Sequence, residues 1–171
     1  VWKYLTETFD DFDGLQILHI SPERCLGRKL RHLPGYVRSH KRKGRGDITD
    51  LHEFEAESFD LIICNHVLEH IRDDARAMSE TYRVARSGGR VLITVPCRPR
   101  RKRTFVSPRD KTYRQRQKAY GQGDHVRVYG MDIVDKLERT GFSVCVYPSG
   151  DRKSGTGRSP LFCCTKGVKD A

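Results

Sequence analysis

No apolar run in the 171 residues approaches the roughly 20 that a bilayer span requires, so no membrane partner is expected. The opening stretch, VWKYLTETFDDFDG, lacks the basic-then-apolar order of a secretory leader, and a cytoplasmic protein is the expectation. The six cysteines (Cys25, Cys64, Cys97, Cys145, Cys163, Cys164) contain no C-x-x-C pair. Reduced thiols in or near the core are therefore expected, with neither a disulfide frame nor a metal site. Internal repeats are absent. Acids are the scarce charge: 22 Asp and Glu against 33 Lys and Arg leave a net +11, which favours loose association with polyanions without identifying one. The length suits a single domain over 1–171, with an N-terminal arm at 1–14 and a basic excursion at 98–123.

The chain is organised around residues 58–96. Residues 59–64 and 91–95 are short apolar runs, the second rich in β-branched residues and closed by Pro96, and both read as buried strands. Between them Asp73 and Asp74 stand where acids favour a helix N-terminus, and Ala75, Met78, Tyr82 and Ala85 recur at helical spacing up to a stop at Gly88-Gly89. Strand, helix and strand in this order predict a parallel βαβ unit with a right-handed crossover. Small ligands bind such sheets beyond the carboxyl ends of the strands, which here means Asn65, His66 and Val67.

In chain order, residues 15–20 (LQILHI) predict the first strand. Ser21, Pro22 and Glu23 then read as a helix N-cap, a proline at the first helical position and a first-turn acid, opening a helix to about His32. A short strand at 36–39 precedes the basic loop HKRKGRG, and DITDL at 47–51 predicts a very short strand and turn, with one or two helical turns over 51–56. Residues 98–118 hold ten Lys or Arg against one acid, Asp110, and predict an exposed excursion, mobile without a partner. A helix at 131–140, a strand at 142–147 and a last strand at 161–165 complete the series. The two final strands pair as an antiparallel hairpin at the sheet edge.

This order of elements resembles the class I S-adenosylmethionine-dependent methyltransferases, in particular the small type 11 and type 23 members. The residues that carry the likeness are DIT at 47–49, SFDLIICNHVLEHI at 58–71, YRVARSGGRVLITVP at 82–96 and GF-x-V at 141–144. A narrower subset also shares the HISPE turn at 19–23 and DHVRVYG at 124–130. The resemblance implies an α/β, Rossmann-like three-layer sandwich with a seven-stranded, mostly parallel sheet whose last strand is antiparallel. It further implies S-adenosylmethionine as cofactor, with Ile20, Ser21, Pro22 and Glu23 near its methionine part, Asp47 and Ile48 flanking the adenine, and Asn65, His66 and Val67 facing the methionine and sulfonium.

Each of these positions has a plainer reading. Asp47 can cap its own turn, and Asn65-His66 can be simple turn chemistry. His125, Arg127 and Tyr129 alternate along an extended segment, which would put them on one side as an acceptor wall, with His125 the catalytic candidate near neutral pH and Arg127 and Tyr129 on the substrate. A histidine that only holds a loop looks the same in sequence. The first motif also departs from the family: His19 replaces the usual acid, Ser21 and Glu23 stand where glycines are common, and His40 takes the place of the ribose-binding acid. The expected activity is methyl transfer to oxygen or nitrogen of a small or medium acceptor, small-molecule or anionic. The alternatives are a methyltransferase-fold scaffold without catalysis, and a nucleic-acid methyltransferase or binder acting through the basic loop.

Overall fold

The computed structural model describes residues 1–39, 47–109, 112–148 and 159–168. A parallel pair lies at its centre, β1 (Ile17–Ile20) against β3 (Phe59–Asn65), with Leu18 opposite Ile62 and Ile20 opposite Cys64. β2 (Tyr36–Ser39) extends the sheet beyond β1, and β4 (Ala85–Thr94) beyond β3, all parallel. β6 (Leu161–Lys166) then runs antiparallel to both β4 and the edge strand β5 (Phe142–Tyr147), giving the order β2-β1-β3-β4-β6-β5.

Alternation along the strands supplies both faces with apolar side chains. Ile17, Leu61, Ile63 and Leu92 pack on one side with Leu5 of α1 (Trp2–Thr8) and with Leu26 and Leu30 of α2 (Arg24–Leu30). Leu18, Ile20, Ile62, Val91 and Ile93 pack on the other with Ala77, Met78 and Val84 of α3 (Asp74–Val84) and with Ile133 and Leu137 of α5 (Ile133–Arg139). The result is the expected three-layer α/β sandwich with an antiparallel last strand.

Several expectations are corrected. The described residues form six strands, not seven, because Asp47 folds DIT into a turn. Its Oδ1 accepts from the Thr49 amide (3.1 Å) and hydroxyl (2.8 Å), and only an isolated bridge to Asp50 remains. Residues 51–56 form turns, not a helix. The α3 face is Ala77, Met78, Thr81 and Val84, one position round from that expected, and Ala75 is exposed.

Gly88-Gly89 does not stop α3, which passes directly into β4 at Ala85. The pair instead builds a bulge: the stretch of β4 from Ala85 to Arg90 stands against only Phe59 to Leu61 of β3. Gly88 has φ +77, and a Cβ on Gly89 would lie 2.9 Å from the Arg86 carbonyl. Side chains at either position would break the turn.

The basic segment is tied down through its backbone. Phe105 and Val128 exchange amide–carbonyl bonds (2.8 and 3.0 Å), Met131 donates to Arg101 O, and Thr104 Oγ1 bonds Asp132. α4 (Tyr113–Tyr120) opens with a Thr112/Gln115 capping box, and its Tyr120 hydroxyl accepts from the Ser107 amide. Charge-rich composition hid these contacts, since backbone bonds leave no trace in side-chain pattern. The described part of 98–118 is largely exposed, as expected, while its backbone is anchored to residues 128–132.

Candidate functional site

The chain leaves β1 towards β2 on one side and returns to β3 on the other, so the carboxyl ends of β1 and β3 flank a topological switch point, where open α/β sheets bind ligands. A cleft of about 280 Å³ opens there. Six of the nine residues expected at a cofactor line it: Ile20, Ser21, Asp47, Ile48, His66 and Val67. His70 and Ile71, from the turn after β3, complete the wall. Ser21 (φ +47) and His66 (φ +51) are two of only three non-glycine residues with left-handed backbone among the described residues. Strain of this kind at both strand tips is a mark of sites where backbone geometry is held for a ligand.

Pro22, Glu23 and Asn65 lie beside this lining. Helix α2 starts at Arg24, two residues later than Pro22 suggested, and Glu23 becomes its N-cap without a side-chain cap bond. The Glu23 carboxylate turns instead to accept from His19 Nε2 (2.9 Å) and Asn65 Nδ2 (2.8 Å). Thr94 Oγ1 donates to Asn65 Oδ1 (3.1 Å), and His19 Nδ1 bonds the Tyr36 hydroxyl (2.8 Å). A polar chain thus runs from Tyr36, at the start of β2, through His19 and Glu23 to the tips of β3 and β4. Burial pushes the Glu23 carboxyl up, but the bonds from His19, its own backbone and Asn65 outweigh it and bring the pKa down to about 2. Glu23 is therefore a fixed negative charge between the strand tips. Asn65, expected to touch a ligand, has both ends of its amide engaged in this chain.

Below the cleft, the 3₁₀ turn Leu68–His70 carries a second group. Glu69 is fully buried; its Oε1 accepts from His66 Nδ1 (3.2 Å) and its Oε2 has no partner. That bond to Glu69, working against burial, raises the pKa of His66. His125 reaches this turn because the Val126 amide donates to Glu69 O (2.9 Å), and its ring meets His70 edge-on at 4.8 Å between centroids. Burial lowers the pKa of His125, and its Nδ1 has no partner. His125 lies behind His70 rather than on the cleft wall.

Arg127 and Tyr129 do not form an acceptor wall. Both turn to Asp74 at the start of α3: Arg127 pairs with its carboxylate and donates to Arg72 O (2.6 Å), and the Tyr129 hydroxyl donates to Asp74 Oδ2 (3.0 Å). Lys136 adds a third donor at 2.9 Å. Alternation leaves neither set of side chains facing outward, since Val126 and Val128 are buried along with His125, Arg127 and Tyr129.

His40 and the basic patch Lys41, Arg42, Lys43 and Arg45 lie outside the described residues. Lys102, Arg103, Lys136 and Arg139 line a further recess of about 400 Å³, but Asp132 and Asp135 share it, so half its cationic charge is compensated. Among the described residues no helix is long and apolar enough to cross a membrane. Glu69 and His70 are residues that the sequence reads first as cap and packing side chains, and His125 as a catalytic candidate; what it misses is that the three converge, and that Ile71 lines the cleft. Residues 69 and 125 are far apart in the chain, and neither falls in a ligand-spaced motif.

A family model described as a methyltransferase domain matches residues 30–93. No curated protein sequence matches the chain. Among solved structures, a putative methyltransferase from Bacillus halodurans superposes with TM-score 0.65 at 15% identity, covering 98% of this chain and 99% of the other. A phosphoethanolamine N-methyltransferase from Haemonchus contortus, in complex with S-adenosyl-L-methionine, gives 0.63 at 15%, covering 96% of this chain and 52% of the other. A [4+2]-cyclase, SpnF, gives 0.66 at 12%, covering 97% and 80%. At these identities the likeness is one of fold. Residues 30–93 thus match the methyltransferase-domain model, and the chain as a whole has the Rossmann-like fold of these methyltransferase structures.

Proposed function

We propose that the cleft at the tips of β1 and β3 binds S-adenosylmethionine and that the protein transfers its methyl group to oxygen or nitrogen of a small or medium acceptor. The observation that carries this reading is the coincidence of the cleft with the switch point and with both strained strand tips. The residues fit the group in kind. Ile48 and Val67 offer apolar walls, and Glu23, ionised at neutral pH, offers a counter-charge for an ammonium. The backbone at Ile20-Ser21 would hold the methionine end, Asp47-Ile48 the adenine side, and His66-Val67 the sulfonium side. When bound, the cofactor supplies an already activated methyl, so the work left to the chain is to orient donor and acceptor and to exclude water.

Calorimetric titration with S-adenosylmethionine and S-adenosylhomocysteine tests the reading. Binding is expected, and Ile71→Trp, which fills the cleft from the turn after β3, should weaken it by about tenfold or more. Undiminished affinity in that variant moves the site elsewhere.

A second reading is favoured by the first motif, where Ser21 and Glu23 stand in place of glycines and Glu23 is bound to His19 and Asn65. It is a binding protein on the same fold without methyl transfer. The cyclase neighbour is a precedent for this fold in a protein not named for methyl transfer. Absence of heat and of a thermal shift with either cofactor form selects this second reading.

A further inference from the structure

We propose that Glu69, His70 and His125 form a binding site for one divalent first-row transition-metal ion at the inner wall of the cleft. One donor atom from each of the three lies within 4.8 Å of the others. Zinc ligands at about 2.0–2.1 Å from the ion stand roughly 3.3 Å apart in a tetrahedron, so side-chain rotations of about 1.5 Å close the set. Two donors are buried without partners: Glu69, 0% exposed, at Oε2, and His125, 5% exposed, at Nδ1. Burying such atoms unpaired is costly, and a cation facing both removes that cost.

The surrounding bonds suit the purpose. His66 Nδ1 holds the other oxygen of Glu69. His70 Nδ1 bonds the Asp124 carbonyl (3.2 Å), which can only accept, so the neutral ring keeps its lone pair on Nε2. Two imidazoles with one carboxylate favour zinc, iron, cobalt or nickel over magnesium or calcium. Three protein ligands leave a position open, and His70 belongs to the cleft wall. If the cofactor reading holds, an acceptor oxygen could take that position, where the ion would lower its pKa.

The test uses the full chain, stripped by chelator, in a Cys25→Ser/Cys145→Ser background that removes the exposed thiols. Titration with Zn²⁺ by calorimetry should show one equivalent bound, and Glu69→Gln and His125→Asn should each weaken it by about 100-fold. Co²⁺ should give visible ligand-field bands without a thiolate charge-transfer band. No binding, binding unchanged in both variants, or a thiolate band overturns the proposal. If either variant fails to fold by circular dichroism, the cobalt spectrum of the parent and the response of His70→Asn decide. Cofactor titration of the metal-free protein is read separately, so failure of one reading leaves the other standing.

Discussion

Two buried polar groups hang from the short stretch between the tip of β3 and the start of α3, and they differ in one respect. Three donors, from Arg127, Tyr129 and Lys136, converge on Asp74 Oδ2, and the Arg127 Nε is left without a partner. The Glu69–His70–His125 group, one turn earlier, leaves a carboxylate oxygen and an imidazole nitrogen open. Both groups are fed by the same segment, 125–129, which contributes His125 to one and Arg127 and Tyr129 to the other. A carboxylate oxygen met by three of the chain's own donors is a lock between elements, whereas a group with unpartnered ligand atoms has capacity for something the chain does not supply.

That contrast breaks first at the lock. Asp74→Ala leaves Arg127 without its carboxylate in a buried place, and should cost about 3–5 kcal/mol in urea unfolding. A loss below about 1 kcal/mol would show that α3 and the 127–136 segment are held by apolar packing alone. A smaller effect is expected at Glu23. Its pKa is lowered in the folded state, so its contribution is present above about 4.5 and fades as pH falls to about 2. Glu23→Gln should therefore be less stable than the parent at neutral pH, by about 1 kcal/mol for a carboxylate partly screened by solvent, and the gap should close on acidification. A gap constant with pH would mean that Glu23 acts through packing. Smallest is Ser21→Gly, which relieves a left-handed backbone at the strand tip and should raise stability by up to about 1 kcal/mol. The same change should alter cofactor affinity if the strained tip matters to the site, and leave it untouched if the strain is incidental.

Much of this was legible in the linear pattern, and the misses have physical causes. Apolar runs at 59–64 and 91–95 marked the paired strands β3 and β4, because buried parallel strands need continuous hydrophobicity. The cleft followed from topology, which put Ile20, Ser21, His66 and Val67 together once the strand ends were placed. The Gly88-Gly89 pair misled because a helix stop and a bulge call for the same residue. Arg127 and Tyr129 misled because alternation reports a shared side, not whether that side faces ligand or core. Asp74, read as a helix-terminus acid, gave no hint that donors from 53 to 62 residues later would converge on it.

β6 follows β5 in the chain yet lies between β5 and β4, so β5 touches the rest of the sheet only through its neighbour. During synthesis, β5 must wait, with its hydrogen-bonding edge unmet, until residues 161–166 emerge and slot in beside β4. Interruption of translation just before that point would leave a four-stranded parallel sheet with the open β4 edge, a product prone to pairing with another copy of itself.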